Sequence, residues 1–415
     1  MRLWLLMKDY AAHVDWIESR HDQMVSLVEH WAAVNSGSYN VTGLNALLDL
    51  LIDDFRALGG EMRSITLPTQ TVVDSRGEPT EAQLGKALSI VKRRSAPFKV
   101  FLGIHYDTVF QADHPFQECS RPAEGRLRGP GVADAKGGLA VMLTALSALE
   151  RSPWAANIGW EILINPDEEI GSPGSADLLR SAAKRNQLGL LFEPALPGGA
   201  LVGSRRGSGN FTVVVRGKAA HAGRNPGEGR NAIHLLAEFI VRLNELYTGL
   251  PEVTVNVGWI GGGGPANVAP DLCRCRFNVR VTSEADRETF GGNLAALIGE
   301  LNGRDGFSVR LLGDFARPPK PLDDLTLQAL KHIARCGEEI GLSLQWRPSG
   351  GAGDGNILAA EGLTTVDSLG VRGEGIHTSE EYLFVDSLTE RARLTALFLL
   401  KLASGEIRWL EKVTD

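Results

Sequence analysis

The sequence predicts an α/β protein: a mainly parallel sheet flanked by helices, into which a ferredoxin-like α+β unit is inserted. Three observations carry that expectation. Short apolar, β-branched runs alternate with amphipathic stretches up to residue 204 and again from 318, the rhythm of a sheet covered on both faces. Between 205 and 317 the order becomes β-α-β-β-α-β, that of a small split-βαβ sandwich. The chain has 415 residues, more than one hydrophobic core ordinarily holds, so two domains are expected. The larger would comprise 1–204 and 318–415, with 205–317 inserted between its halves.

Taken in order, residues 10–34 read as an amphipathic helix, and Ser36-Gly-Ser-Tyr-Asn40 separates it from a helix over 44–58 that Gly59-Gly60 ends. Strands follow over 62–67, 87–92 and 99–104, the first two separated by a variable loop. A glycine- and proline-rich loop over 129–138 leads into a helix over 139–150. The runs 158–164 and 187–192 are apolar throughout, as fully buried strands are. In the inserted unit, strands are expected at 209–216, 253–259, 273–282 and 307–312, with helices at 231–247 and 283–301. The larger domain then resumes with a helix over 322–340, strands over 342–346 and 364–368, and a closing helix over 387–404.

The ends of these strands carry the chemistry. Asp167-Glu168-Glu169 follows the apolar run 158–164, and three adjacent acids need a cation, a shared proton or bulk water to coexist. By itself such a triplet is a solvated turn. His105 and Asp107 end another strand two residues apart, so they share a face and the aspartate can orient the imidazole of a metal-bound histidine. Asp134 lies inside the glycine-rich loop, where its bland reading is a helix N-cap, although Lys136 and two glycines separate it from the apolar helix. Glu193 precedes Pro194, which cannot extend a ladder and so marks a strand terminus. Four separate segments thus bring ligand-type side chains to places where loops leave a sheet.

Composition narrows the partners. Hydrophobic residues make up 43% and the net charge is −7, which gives no basic field for nucleic acid. Cys119, Cys273, Cys275 and Cys336 form no CxxC pair, as expected of reduced thiols in a cytoplasmic protein. The apolar start over 1–7 lacks a small-residue cleavage site and is not expected to be a signal peptide. No stretch is long enough to predict a membrane partner.

Together these segments resemble the zinc metallopeptidase family that contains glutamate carboxypeptidase, aminoacylase, acetylornithine deacetylase and succinyl-diaminopimelate desuccinylase. His105-x-Asp107, Gly-Pro-Gly-Val-Ala-Asp134-x-Lys-Gly-Gly, Asp167-Glu168-Glu169, Phe192-Glu193-Pro and Ile376-His377 stand in the family's order and at its approximate spacing. The loop wording is most similar to the glutamate carboxypeptidase branch. The resemblance implies two Zn2+ per chain, with Co2+ or Mn2+ as substitutes, bridged by Asp134. It assigns His105 and Glu193 to one ion and Glu169 and His377 to the other, and implies a cis peptide at Asp134-Ala135. Glu168 would be the general base acting on a bridging hydroxide.

By the same resemblance His221, in Arg216-Gly-Lys-Ala-Ala-His221, would polarise the substrate carbonyl in the partner subunit's site. Asn267 and Arg317 would bind substrate, with Arg280 and Gly351 as further candidates; Arg317 would grip a free carboxylate. His13, His21, His30, His114, His234 and His332 are read as structural. The expected enzyme is a zinc amidohydrolase acting on an N-acyl amino acid or peptide with a free carboxylate, as a homodimer through the inserted lid domain. A glutamate carboxypeptidase is the first choice, and an N-acyl amino acid deacylase or deacetylase is the alternative. An aminopeptidase, which anchors an amine instead, is a third enzyme reading. From another class stands a metal- or ligand-binding module without turnover.

Overall fold

The computed structural model describes residues 9–409, so the signal-peptide reading of 1–7 lies outside the described residues. Helices Asp9–Glu18, His21–Ala32 and Val41–Phe55 lead to strands β1 (Glu61–Thr66), β2 (Gln70–Val73), β3 (Pro79–Ala82), β4 (Lys86–Lys92), β5 (Lys99–His105) and β6 (Arg126–Arg128). Helix Gly137–Glu150 precedes β7 (Gly159–Asn165), and helix Ala176–Ala183 precedes β8 (Leu188–Leu191) and β9 (Leu201–Arg205). The inserted unit contains β10 (Gly207–Arg216), β11 (Ala220–His221), helix Ala232–Leu246, β12 (Thr254–Gly262), β13 (Val268–Ala269) and β14 (Leu272–Val281). Helix Glu284–Asn302 and β15 (Ser308–Arg317) complete it. Helix Asp324–Glu339, β16 (Trp346–Ser349), helix Asp354–Ala360, β17 (Thr365–Val366), β18 (Gly373–Glu374), β19 (Tyr382–Phe384) and helix Asp386–Ser404 return the chain to the larger part.

The large sheet has the order β1-β4-β7-β5-β8-β17. β7, β5, β8 and β17 run parallel, while β4 is antiparallel to both its neighbours. Every residue of β7 is buried, because both faces are covered. Val100, Leu102, Ile104, Ile162 and Ile164 point to one core, with helices Val41–Phe55, Gly137–Glu150 and Asp386–Ser404. Phe101, Leu163 and Leu191 point to the other, against helices Ala176–Ala183 and Asp354–Ala360. The parallel run of β5, β7 and β8 puts their carboxyl ends on one edge, where open α/β sheets collect their ligands. Among the described residues one helical stretch, Val132–Glu150, is apolar and long enough to cross a membrane, and 94% of it is buried inside the protein.

The second sheet is antiparallel, with the order β12-β14-β10-β15. Its two helices cover one face over a separate core centred on Phe211, Phe239, Phe277 and Phe290. The opposite face meets the β2–β3 hairpin. Arg216 donates to the Arg76 carbonyl and Glu78, Arg310 to the Gly77 carbonyl and Glu78, and Arg274 to the Asp74 carbonyl. A Cβ on Gly77, where φ is +76°, would lie 2.8 Å from Val214 Cγ1, so the close docking of the hairpin tip requires glycine.

Several expectations change. The helix over 10–34 is two helices broken at Ser19-Arg20, where the Ser19 hydroxyl bonds back to the Trp16 carbonyl. The strand expected over 342–346 begins only at Trp346. Leu342 and Leu344 are half-buried against the larger core without joining a ladder, so their alternation reports burial and not pairing. The variable loop holds the β2–β3 hairpin, and helices Ala176–Ala183 and Asp354–Ala360 were not anticipated. The four cysteines are free.

Candidate metal centre

The carboxyl edge of the large sheet gathers two groups of ligand-type atoms around one carboxylate. Asp134 Oδ1 lies 3.0 Å from His105 Nε2, and Asp134 Oδ2 lies 3.3 Å from His377 Nε2. Glu193 Oε2 is 3.7 Å from the same atom of His105, and Glu169 Oε2 is 3.1 Å from that of His377. Within each group, His105–Asp134–Glu193 and Asp134–Glu169–His377, the potential ligand atoms lie within 4.8 Å of one another. The peptide Asp134-Ala135 is cis.

Surrounding groups fix these side chains. His105 Nδ1 donates to the Asp107 carbonyl at 3.0 Å, with the carboxylate at 3.3 Å, which leaves Nε2 free to act as a ligand. The Asp107 carboxylate accepts from the backbone N–H groups of Glu168 and Glu169 at 3.1 and 3.2 Å, and from Ser38 Oγ at 2.7 Å. One aspartate thereby orients a histidine and the turn that carries two acids. Asp167 turns away from that turn and accepts from Gly174 N, Ser175 N and Ser175 Oγ. The acidic triplet is thus divided by a tight turn into one inward structural carboxylate and two at the site.

Glu381 was not singled out by sequence reasoning. Its buried carboxylate accepts from Ala133 N at 2.9 Å, Asp134 N at 3.0 Å and Gly131 N at 3.2 Å. It lies four residues beyond His377, so it ties the loop bearing His377 to the loop bearing Asp134. As one member of Glu380-Glu381 it gave no signal beyond charge.

Glu168 Oε1 pairs with Arg317 Nη2 at 2.7 Å, and that nitrogen also donates to the Glu168 carbonyl and to Ser172 Oγ. Asp354 is 3.6 Å from the same guanidinium. Arg317, expected to meet a substrate carboxylate, is engaged with Glu168 instead. Its position at the end of β15, only 8% exposed, accounts for the difference. Arg280 donates through Nε to Asn278 Oδ1 and has no carboxylate partner among the described residues. The Gly351 carbonyl accepts from Arg205, itself paired with buried Asp367.

His221 and Asn267 meet elsewhere, on the exposed β11–β13 ribbon. The Asn267 carbonyl accepts from Ala222 N at 2.9 Å, and His221 Nδ1 accepts from Gly223 N. Neither has a hydrogen bond to the metal-centre residues of its own chain.

The electrostatics reflect crowded acids. Burial pushes Glu169 up to about 7, with help from the Asp134 charge, and burial raises Glu168 and Glu193 as well. Asp134 moves the other way, because hydrogen bonds from both histidines outweigh its burial. Hydrogen bonds to Asp134 and Glu169 raise His377 to about 11. Imidazole and carboxylate donors in two groups sharing an aspartate match what divalent zinc accepts, and a cation offsets repulsion among the acids. The residues fit a two-metal centre.

A family model described as Peptidase family M20/M25/M40 matches residues 101–401. Carboxypeptidase G2 of Pseudomonas sp. (strain RS-16) is 24% identical over 389 residues, covering 92% of this chain and 90% of that protein. Succinyl-diaminopimelate desuccinylase of Methylobacterium radiotolerans is 31% identical over 336 residues, covering 74% of this chain and 80% of that protein. Among solved structures, the YXEP protein of Bacillus subtilis, a dinuclear metal binding peptidase from the M20 family, has a TM-score of 0.61 at 15% identity. That alignment covers 93% of this chain and 99% of the other, and at such identity the likeness is one of fold.

Proposed function

This chain belongs to peptidase family M20/M25/M40 and is a hydrolytic metallopeptidase or amidohydrolase, and we propose that it cleaves the amide of a peptidyl or N-acyl amino acid with a free carboxylate at a two-zinc centre. The observation that carries this reading is Asp134, whose two carboxylate oxygens each face a different histidine. His105 and Glu193 would complete one ion's protein ligands and Glu169 and His377 the other's. When bound, such a pair supplies Lewis acidity at the scissile carbonyl and lowers the pKa of a water. The solved relative described as a dinuclear metal binding peptidase supports the count of two.

The chain's own residues do the rest. Glu168 takes a proton from the attacking water and returns it to the leaving amine. Arg317, paired with Oε1 of Glu168, holds that carboxylate in orientation and leaves Oε2 for the proton. Asp107 keeps His105 in its ligating tautomer. Arg280, which feels the Glu168 charge and has no acidic partner among the described residues, is our candidate for the substrate's α-carboxylate. In this reading Asn267, on the ribbon with His221, and the loop around Gly351 are further candidates for substrate contact.

His221 acts in trans in a homodimer. Edge strand β12 exposes Ile260 (57%), and the adjacent helix Ala232–Leu246 exposes Val241 (62%) beside a groove of about 400 Å3. A second copy joining at this edge would cover both. A cytoplasmic location agrees with the free thiols. A carboxypeptidase acting on glutamate amides is the first choice, since carboxypeptidase G2 aligns over the longer span; a desuccinylase-like deacylase is the second, because that relative has the higher identity.

The test is to incubate zinc-loaded protein with a mixed set of N-acyl amino acids and dipeptides and identify what is consumed. Loss of compounds with a free carboxylate, abolished by chelation, is the expected result. Consumption of carboxylate-blocked, amine-free peptides alone would transfer the assignment to an aminopeptidase.

A further inference from the structure

We propose that Arg276 forms an anion subsite on the acyl side of the scissile bond, so that preferred substrates carry a second carboxylate there. The inference rests on the amide-hydrolase reading above and adds the chemistry of the acyl group. A cleft of about 950 Å3 runs from Glu169 and Ile170 to the open face of the small-domain sheet, between Tyr39, the β2–β3 hairpin and strands β10, β12 and β14. Of the side chains lining it, two are charged: Glu169 at the metal end and Arg276 on the sheet floor. Asn210, Asn256, Asn278 and Thr212 supply neutral hydrogen-bonding groups around it.

The neighbouring arginines are occupied. Arg216, Arg274 and Arg310 all donate to the hairpin tip, and Arg280 donates to Asn278. Arg276 has no hydrogen-bond acceptor or ion-pair partner among the described residues. Its guanidinium lies 4.9 Å from the centre of the Trp259 ring, which Arg274 also approaches, at 5.1 Å. Stacking of this kind limits the rotamers of the side chain while leaving its N–H groups free. A planar, pre-ordered and unpaired guanidinium in a substrate cleft is matched by a carboxylate, which it can bind through two parallel hydrogen bonds.

Strand periodicity relates this group to Arg280. The two lie four residues apart on β14, hence on one face and about 13 Å apart at their Cα atoms. With Arg280 assigned to the α-carboxylate, Arg276 is left for the acyl portion. Two sources carry that chemistry: a dicarboxylic acyl group, or an acidic residue preceding the scissile bond in a peptide.

Zinc-loaded full-length protein tests this with matched pairs on one leaving amino acid: N-succinyl against N-butanoyl, and glutamyl against glutaminyl. We expect wild type to favour at least one anionic member about tenfold in kcat/KM, through KM, and Arg276→Gln to bring that ratio near one. Arg276→Lys should restore part of it. Which pair responds identifies the source. Equal use of both members in wild type, or a ratio unchanged in Arg276→Gln, overturns the proposal. Calorimetric binding of the same pairs to Glu168→Gln protein separates the two claims. If no amide is cleaved the hydrolase reading fails, while an anion preference lost in Glu168→Gln/Arg276→Gln supports the subsite and its absence rejects it.

Discussion

At the carboxyl edge of the large sheet, His105, Asp107, Asp134 and Glu168 are at most 7% exposed, and each is held by a neighbouring side chain or backbone group. On the small domain, His221 and Asn267 are exposed, and Arg276 lies over the Trp259 ring without a hydrogen-bond or ion-pair partner among the described residues. The first region is set before any substrate arrives, as a reacting centre must be. In the second, the proposed partners, substrate and a second subunit, lie outside the chain. In the proposed function, bond cleavage belongs to the large sheet and recognition to the small one.

That division is broken most severely at Glu168. Glu168→Gln should lower kcat by roughly 10²–10⁴-fold while zinc content stays at that of wild type, which elemental analysis checks alongside the kinetics. Next comes His221→Ala, with kcat reduced on the order of 10²-fold. If His221 serves the partner, mixing His221→Ala with Glu168→Gln protein lets each hybrid dimer assemble one intact site and recovers about a quarter of wild-type activity. No recovery would confine His221 to its own chain.

Glu381→Gln sharpens the comparison from the buried side. Replacing one of its two accepting oxygens by an amide nitrogen loosens the backbone hydrogen bonds to the Asp134 loop, so zinc affinity read by competition with a chelator should fall roughly 10- to 100-fold. Substitutions at the exposed ribbon should leave it unchanged.

The smallest effect lies far from either region. Burial acts to raise Glu150, but hydrogen bonds from Arg93, Lys92 and Trp160 outweigh it and hold the carboxyl below its ordinary value. A depressed folded-state pKa adds stability above the unfolded value of about 4.3, and that stability disappears as pH falls through the folded value. Glu150→Gln should thus cost on the order of 1 kcal/mol at pH 7, with the difference in Tm from wild type closing under acid conditions.

The contrast also governs what the sequence made legible. His105, Asp134, Glu168, Glu169 and Glu193 stand out in the sequence because each follows an apolar strand or sits in a glycine-rich loop, where a polar side chain is conspicuous, and the fold brings them to one edge of the sheet. Glu381 was hidden because its partners are backbone N–H groups from a loop some 250 residues away, and long-range pairing of that kind leaves no local pattern. Arg317 was located but given a different neighbour: only the three-dimensional path of β15 brings it against Glu168. The β2–β3 hairpin passed for a loop because its burial is supplied by the small domain and not by its own periodicity.

Everything proposed for this site requires Asp134 to hold two cations at once. Crystals grown with zinc and measured on both sides of the zinc absorption edge should give two anomalous peaks in contact with Asp134, one also touching His105 and Glu193, the other Glu169 and His377. A single peak, or peaks at which Asp134 is not a ligand, would contradict it.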